Sequence, residues 1–475
     1  MIDEQLAYKS AAELRDFVAT KQVSPVELAE LFFERIGRLD PQLNSFLLVT
    51  RDLAMKQAKA AEDAVMRGDE LGPLHGLPIP FKDTQMTAGV RTTMASVVHH
   101  DRIPEKNAAV VERMLEAGAV MLGKTNASEF GIVGASVNSL GVTGRNPWDT
   151  DRTPGGSSGG AAAAVAAYLC PIATGSDGGG SLRIPANFCG IYAIKPTLGR
   201  VSMYTAVDGP HKPNTFSQPG PLARTVRDAA MLLQAMAGFD RRDSGSLRQT
   251  PPDFIAATEK DIEGLRIGWT PDFGFADVFP EVADVTYKAA LAFEELGCAV
   301  EEVKMVLPEP YDSFGPIQSA GAYNDLAQHL GEFGARMMEY TKFSIEKGSK
   351  VTTSDYMRAE GRIADLKATF DDVFETCDLI ISPVSRFPAF LNDDPFPGSI
   401  TGGSSYPEQF WNGAFTMHAN AIGHPAASIP AGFSSDDLPI GLQIIGRRYD
   451  EETVLAASAV FEQARPWIQH RPPVS

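Results

Sequence analysis

Apolar positions near the start of the chain recur at helical spacing, and polar residues mark where each helix begins. Ser10 and Glu13 form a capping-box pair ahead of AAELRDFVAT. Ser24, Pro25 and Glu27 do the same ahead of VELAELFFERIGRL, with proline at the first helical position. A third helix, alanine- and charge-rich, is predicted over about 52–66 with a stop at Gly68. Short strands punctuated by glycine and proline follow around 77–82. Beyond them the two periodicities alternate. A helix over 107–117 ends at Gly118 and feeds the strand AVML; a helix over 158–169 precedes a strand near 171–174; a helix over 225–237 precedes LRIGW at 265–269. A helix at 281–296 leads to a strand at 298–303, and a long amphipathic helix at about 353–376 leads to CDLIISP. Strands at about 426–430 and 441–445 and a helix from Glu451 to Gln463 close the pattern, while DGPHKPNTFSQPG at 208–220 reads as a loop. Alternation of this kind implies an α/β protein with helices on both faces of a sheet.

Composition narrows this picture. A chain of 475 residues has room for one large domain or several smaller ones, but no repeat or low-complexity linker divides it. At 44% hydrophobic residues it can bury a sizeable core. A net charge of −18 argues against nucleic acid or an anionic membrane as partner. The four cysteines are scattered and without CxxC spacing, which fits buried reduced thiols and a cytoplasmic setting. The N-terminus, MIDEQLAYKS, carries no signal-peptide pattern, and no run of 18 apolar residues is present. The histidines lack HExxH or similar spacing, so neither a metal nor a cofactor is expected.

Three motifs invite a function that their context refuses. GAVMLGKT at 118–125 spells a P-loop, but a helix precedes Gly118 and the spacer reads as a strand, the reverse of what phosphate binding needs. Replacing its lysine, Lys124, with alanine is accordingly expected to leave activity nearly intact. Gly156 to Gly160 fits the nucleophile elbow G-x-S-x-G, yet a loop rather than a strand leads into it; its candidate histidines, His418 and His424, fit packing or capping better. Ser344-x-x-Lys347 lies in a charged segment without companion motifs.

Candidate chemistry concentrates in TPGGSSGGAAAAVAAYLCPIATGSDGGGSLRIP, from Thr153 to Pro185. Glycines this dense let the backbone turn tightly and aim its N–H groups inward. Ser181, at the end of the second loop, is then a nucleophile with oxyanion donors already beside it. Upstream, GLPIPFKD ends an apolar run in Lys82; burial among Leu77, Ile79 and Phe81 lowers a lysine's pKa and lets it serve as a base.

GLPIPFKD, GGSSGG, GSDGGGSLRIPA, KPTLGRVS, GPLARTVRDAA, and NAIGHPAASIPAGF followed by LPIGLQIIG resemble the amidase signature family in order, over about residues 10–465. Lys82 and Ser157 lie 75 residues apart and Ser157 and Ser181 lie 24 apart, the separations that family's Ser-Ser-Lys triad requires. The resemblance implies one large domain, 1–475, with a mixed many-stranded sheet covered by helices on both faces. Within it, N-terminal helices span 10–66, a signature core about 70–235, a variable substrate region about 240–415, and C-terminal strands and a helix 416–465. It further implies a serine amide hydrolase: Ser181 as nucleophile, Ser157 as relay behind a cis Gly156–Ser157 bond, Lys82 as base. The N–H groups of Gly178, Gly179, Gly180 and Ser181 form the oxyanion hole, and Asp177 and Arg183 support the loop. Ser158 is expected to bond locally. Gly178 and Leu182 depart from the family's commonest pattern, and the bare Gly178 is expected to leave room for substrate.

The expected substrate is a small amide or a carbamate, and a homodimer is compatible with the sequence. The competing reading is the glutaminase component, the A chain, of a tRNA-dependent amidotransferase, but 340–375 lacks the arginine- and tyrosine-rich character expected there. A catalytically idle binding protein is disfavoured by the intact triad positions. The region 300–350 and SSYPEQFWNGAF, with Phe410 and Trp411, are the expected pocket walls, since aromatic walls suit an apolar or aryl group.

Overall fold

The computed structural model describes residues 3–207, 215–393 and 415–475. The N-terminal helices form where their caps predict: α1 (Ala11–Ala19) and α2 (Pro25–Leu43) each carry a complete capping box, and α3 (Arg51–Arg67) stops at Gly68 with φ of 79°. They are followed in chain order by α4 (Ala109–Glu116), α5 (Gly159–Ala166), α6 (Arg183–Cys189) and α7 (Val226–Met236). Helices Pro280–Glu295, Thr353–Phe374 and Glu451–Ala464 also match the predicted periodicity closely.

The strands among the described residues are β1 (Phe46–Val49), β2 (Pro78–Lys82), β3 (Val120–Thr125), β4 (Ile172–Asp177), β5 (Tyr192–Lys195), β6 (Gln218–Ala223), β7 (Arg266–Trp269), β8 (Ala299–Glu302), β9 (Leu379–Pro383), β10 (Ala426–Phe433) and β11 (Pro439–Gly446). They build the mixed sheet expected of the fold, flanked by helices in a single domain. Its hydrogen-bonded ladder comes in two parts. Three strands run in the order β1-β3-β2, and eight in the order β4-β6-β5-β10-β11-β9-β7-β8. β2 runs parallel to β3, β4 to β11 meet antiparallel in turn, and β9, β7 and β8 are parallel. The edge strand β2 packs directly against the edge strand β4. Helix α5, GGAAAAVA, lies wholly buried against both. Its lack of bulk lets backbone approach backbone: a Cβ on Gly160 would meet the Ser45 carbonyl at 2.5 Å. Among the described residues no helix is long and apolar enough to cross a membrane.

One local expectation changes, and one motif gains a structural detail. The predicted loop at 208–220 ends early, because Gln218 already starts β6. Its prolines, Pro219 and Pro221, sit in a strand flanked on both sides, but β5 pairs only with Leu222 and Ala223, so the missing N–H groups fall beyond that ladder. GAVMLGKT is a helix end followed by a strand, as its context predicts, and β3 runs on through Lys124. Lys124, however, is fully buried; its ammonium donates to the Gln85 carbonyl and, at 2.9 Å, to Thr87 Oγ1. That burial places Lys124 in the core of the fold.

Candidate active site

Lys82 is the last residue of β2 and has no solvent exposure. Its Nζ donates to Ser157 Oγ at 2.7 Å and to Ser176 Oγ at 3.1 Å. Burial lowers its pKa to about 7 against the opposing pull of the Asp177 carboxylate. Ser157 follows a cis peptide bond at Gly156–Ser157 and is 2% exposed. The Ser158 N–H donates to the Ser181 carbonyl at 3.3 Å, which draws the two serine loops together. Ser158 itself bonds locally: its hydroxyl donates to the Ser176 carbonyl at 3.2 Å and accepts from the Ser176 N–H at 3.3 Å.

The loop from β4 to α6 carries Ser181, which is 6% exposed. It is wound around Asp177. That carboxylate accepts from the N–H groups of Gly180 at 2.6 Å and Leu182 at 3.2 Å, and from Arg183 Nε at 2.9 Å. Burial alone would raise the Asp177 pKa, but the Arg183 guanidinium brings it down to about 2. Arg183, equally buried, also donates to the Thr416 carbonyl at 2.8 Å and to Gln443 Oε1 at 2.6 Å. Gly180 has φ of 126°, and a Cβ there would lie 2.1 Å from Thr416 Oγ1, so only glycine fits.

This arrangement revises the expected set of inward N–H donors. The Gly180 N–H is committed to Asp177, whereas those of Gly178, Gly179 and Ser181 make no hydrogen bond to any described residue. The room expected beside Gly178 is taken as well: a Cβ there would stand 2.7 Å from Ser217 Oγ. His418 and His424 are buried and turned elsewhere. Their rings pair with the carbonyls of Pro308 and Gly446, and burial lowers each pKa to about 4.

An apolar wall stands beside the serines. Gly131 lies against Ser157, 3.4 Å from its Oγ to an added Cβ, and the next residue, Ile132, belongs to a cluster with Phe216, Phe314, Ile317 and Met417. Phe216 and Phe314 stack with centroids 4.4 Å apart. Phe314 and Ile317 come from helix Pro310–Leu326, inside the region expected to vary with substrate. Phe410 and Trp411 lie outside the described residues; of their segment only Phe415 is described, and it packs in the core against Phe273 and Phe275.

Sequence reasoning missed several contributors. Ser176 was hidden inside GSDGGGS, one position before the aspartate. Asn420 donates to the Asp177 carbonyl at 3.0 Å and the Phe216 carbonyl at 3.2 Å, tying loop to wall. Its only signal was membership of the NAIGHPAAS motif, which assigns no role. Gln85 and Thr416 gave no signal at all.

A family model described as Amidase matches residues 27–455. The A component of the glutamyl-tRNA(Gln) amidotransferase of Carboxydothermus hydrogenoformans is 37% identical, covering 98% of this chain and 99% of that protein. An acylamidase of Rhodococcus erythropolis is 35% identical, covering 99% of this chain and 98% of that protein. The solved structure of a bacterial aryl acylamidase of the amidase signature family matches with a TM-score of 0.91 at 34% identity, over 97% of both chains. A match of that extent, in sequence and in fold, means that the chain belongs to the amidase signature family of C–N hydrolases.

Proposed function

We propose that the chain is a stand-alone acylamidase that cleaves aryl or alkyl amides, or carbamates, through a serine acyl-enzyme. The observation that carries this is a fully buried lysine, with its pKa lowered to about 7, 2.7 Å from Ser157 Oγ. Neutral Lys82 takes the Ser157 proton as Ser157 takes that of Ser181, and Ser181 Oγ attacks the carbonyl carbon. The N–H groups of Gly178, Gly179 and Ser181 receive the oxyanion, while Gly180 spends its own on Asp177 and fixes the loop. As the tetrahedral intermediate collapses, the proton returns through Ser157 to the departing nitrogen. Water then attacks the ester by the same route, releasing the acid.

Two observations favour this over the glutaminase component of an amidotransferase. The apolar cluster that begins next to Gly131, at Ser157, contains Ile132, Phe216, Phe314 and Met417, side chains that suit an apolar acyl or aryl group. The fold also lies nearer to the aryl acylamidase structure, at a TM-score of 0.91, than to the solved amidotransferase A component of Thermotoga maritima, at 0.75. The purified chain, assayed alone, is expected to hydrolyse anilides and short alkyl amides and to be labelled at Ser181 by a sulfonyl fluoride. Glutaminase activity that emerges only with partner proteins, or an adduct at Ser157 with Ser181 clean, would refute it.

A further inference from the structure

The proposed base and the proposed nucleophile belong to different parts of the sheet. Lys82 ends β2, in the three-stranded ladder, and Ser181 follows β4, at the edge of the eight-stranded one. β2 and β4 pack together without pairing as a ladder, so no regular row of backbone hydrogen bonds fixes one against the other. Side chains cross the seam instead. Lys82 reaches Ser157 and Ser176, and from the turn after β2 the side chain of Gln85 bonds to β4 as well.

Gln85 is 6% exposed, and its amide is held at both ends. Nε2 donates to the Gly175 carbonyl at 3.2 Å, and Oε1 accepts from Thr174 Oγ1 at 2.6 Å. Its backbone is fixed from the other side. The Gln85 N–H donates to the Lys82 carbonyl at 3.0 Å, and the Gln85 carbonyl accepts from Lys124 on β3. Gly175 immediately precedes Ser176, the second hydroxyl on Lys82 Nζ. One residue thus links the strand that ends in Lys82, the neighbouring β3, and the strand that runs into the Ser181 loop.

We infer that Gln85 is a positioning residue: its side-chain amide replaces the missing ladder across the β2–β4 seam and holds Lys82 in register with Ser157. The inference rests on Lys82 being the base. It goes beyond the triad in assigning the alignment of that base to a residue that touches neither serine. A misplacement of about 1 Å in a catalytic array costs up to about 100-fold in rate, so the effect belongs in kcat.

The test compares Gln85→Leu, Gln85→Met and Thr174→Val with wild type, each corrected for active sites by Ser181 titration, with Lys82→Ala as a parallel arm. Gln85→Leu is expected to lower kcat about 10- to 100-fold with KM within about twofold. Opening the seam admits water to Lys82, and the charge acting on it is the Asp177 carboxylate, so the acid limb of the kcat–pH profile should move to higher pH. Thr174→Val should act in the same direction but more weakly. The double variant should lose less than the product of the singles, because both break one linkage. Gln85→Met, of matched length, serves if the leucine variant does not fold. Folded Gln85 variants with wild-type kcat and an unmoved pH limb would overturn the inference while leaving the triad intact if Lys82→Ala is inactive. A loss confined to KM would overturn it equally. An active Lys82→Ala variant would remove the base itself and overturn both.

Discussion

Lys82 has to be buried enough to lose its proton near neutrality and still reach a hydroxyl, and its place at the tip of β2 meets both demands. Because the neutral amine is the working form, kcat should rise with pH through about 7 and level off above it; an acid limb centred near the ordinary lysine value would contradict the assignment. Lys82→Ala should lower kcat by about 100- to 10,000-fold while the protein keeps its circular dichroism. Arg183 does a different job. Its guanidinium neutralises Asp177 where neither side chain is exposed, and the Asp177 carboxylate in turn holds the Gly180 and Leu182 N–H groups. Arg183→Met leaves a buried carboxylate without its counter-charge, so chemical denaturation should show a loss of about 3–5 kcal/mol. A loss under about 1 kcal/mol would mean that the pair is not what holds the loop.

Elements with local start and stop chemistry were legible in the sequence. α1 and α2 announce themselves by Ser10/Glu13 and Ser24/Glu27, and α3 by Gly68, because caps act within one turn and leave their residues in the sequence. β6 was not legible: QPGPLA has two prolines and a glycine, and it is a strand only because β4 supplies a long antiparallel partner. The short α6 was hidden by the proline and asparagine of RIPANFC, and Asp177 holds its first turn in place. The triad positions were readable from motif and spacing, whereas Gln85, Ser176 and Asn420 act through contacts between distant segments that no local pattern records. β3 shows the same limit in Lys124. The strand was legible and the lysine's burial was not, since apolar neighbours in sequence do not say which way a side chain points. Lys124→Ala should therefore destabilise the fold by about 2–4 kcal/mol, from the cavity and the Gln85 carbonyl left unpaired. Melting within about 1 °C of wild type would show that β3 tolerates the loss.

Three lysines on three strands, Lys82, Lys124 and Lys195, are each fully buried, and burial lowers the pKa of each to about 7. In the unfolded chain they titrate near about 10.4. Between those limits the unfolded state binds protons that the folded state does not, so stability is lost as pH falls from the unfolded value towards 7 and gained as it rises. A buried carboxyl acts in the opposite sense but lower down: burial raises Glu462 to about 7, so it costs stability as pH rises towards that value and adds no slope above it. At the alkaline end burial raises Cys298 and Cys377 to about 11, and Cys170, Cys189 and Tyr192 higher still. These groups hold protons that the unfolded chain releases, and they oppose the lysines increasingly from about pH 8. The net charge of −18 grows more negative over the same range, but salt at about 0.15 M screens that repulsion beyond about 8 Å. Thermal unfolding midpoints at that salt should therefore climb from about pH 7 to about pH 9 and then flatten or fall. Lys195→Met, which removes one of the three without touching the serines, should make the climb shallower by more than about a third, because the cysteines already offset part of it. A midpoint that is level or falling from about pH 7 to 9 would mean that the lysines are solvated, and the neutral base would lose its physical ground along with them.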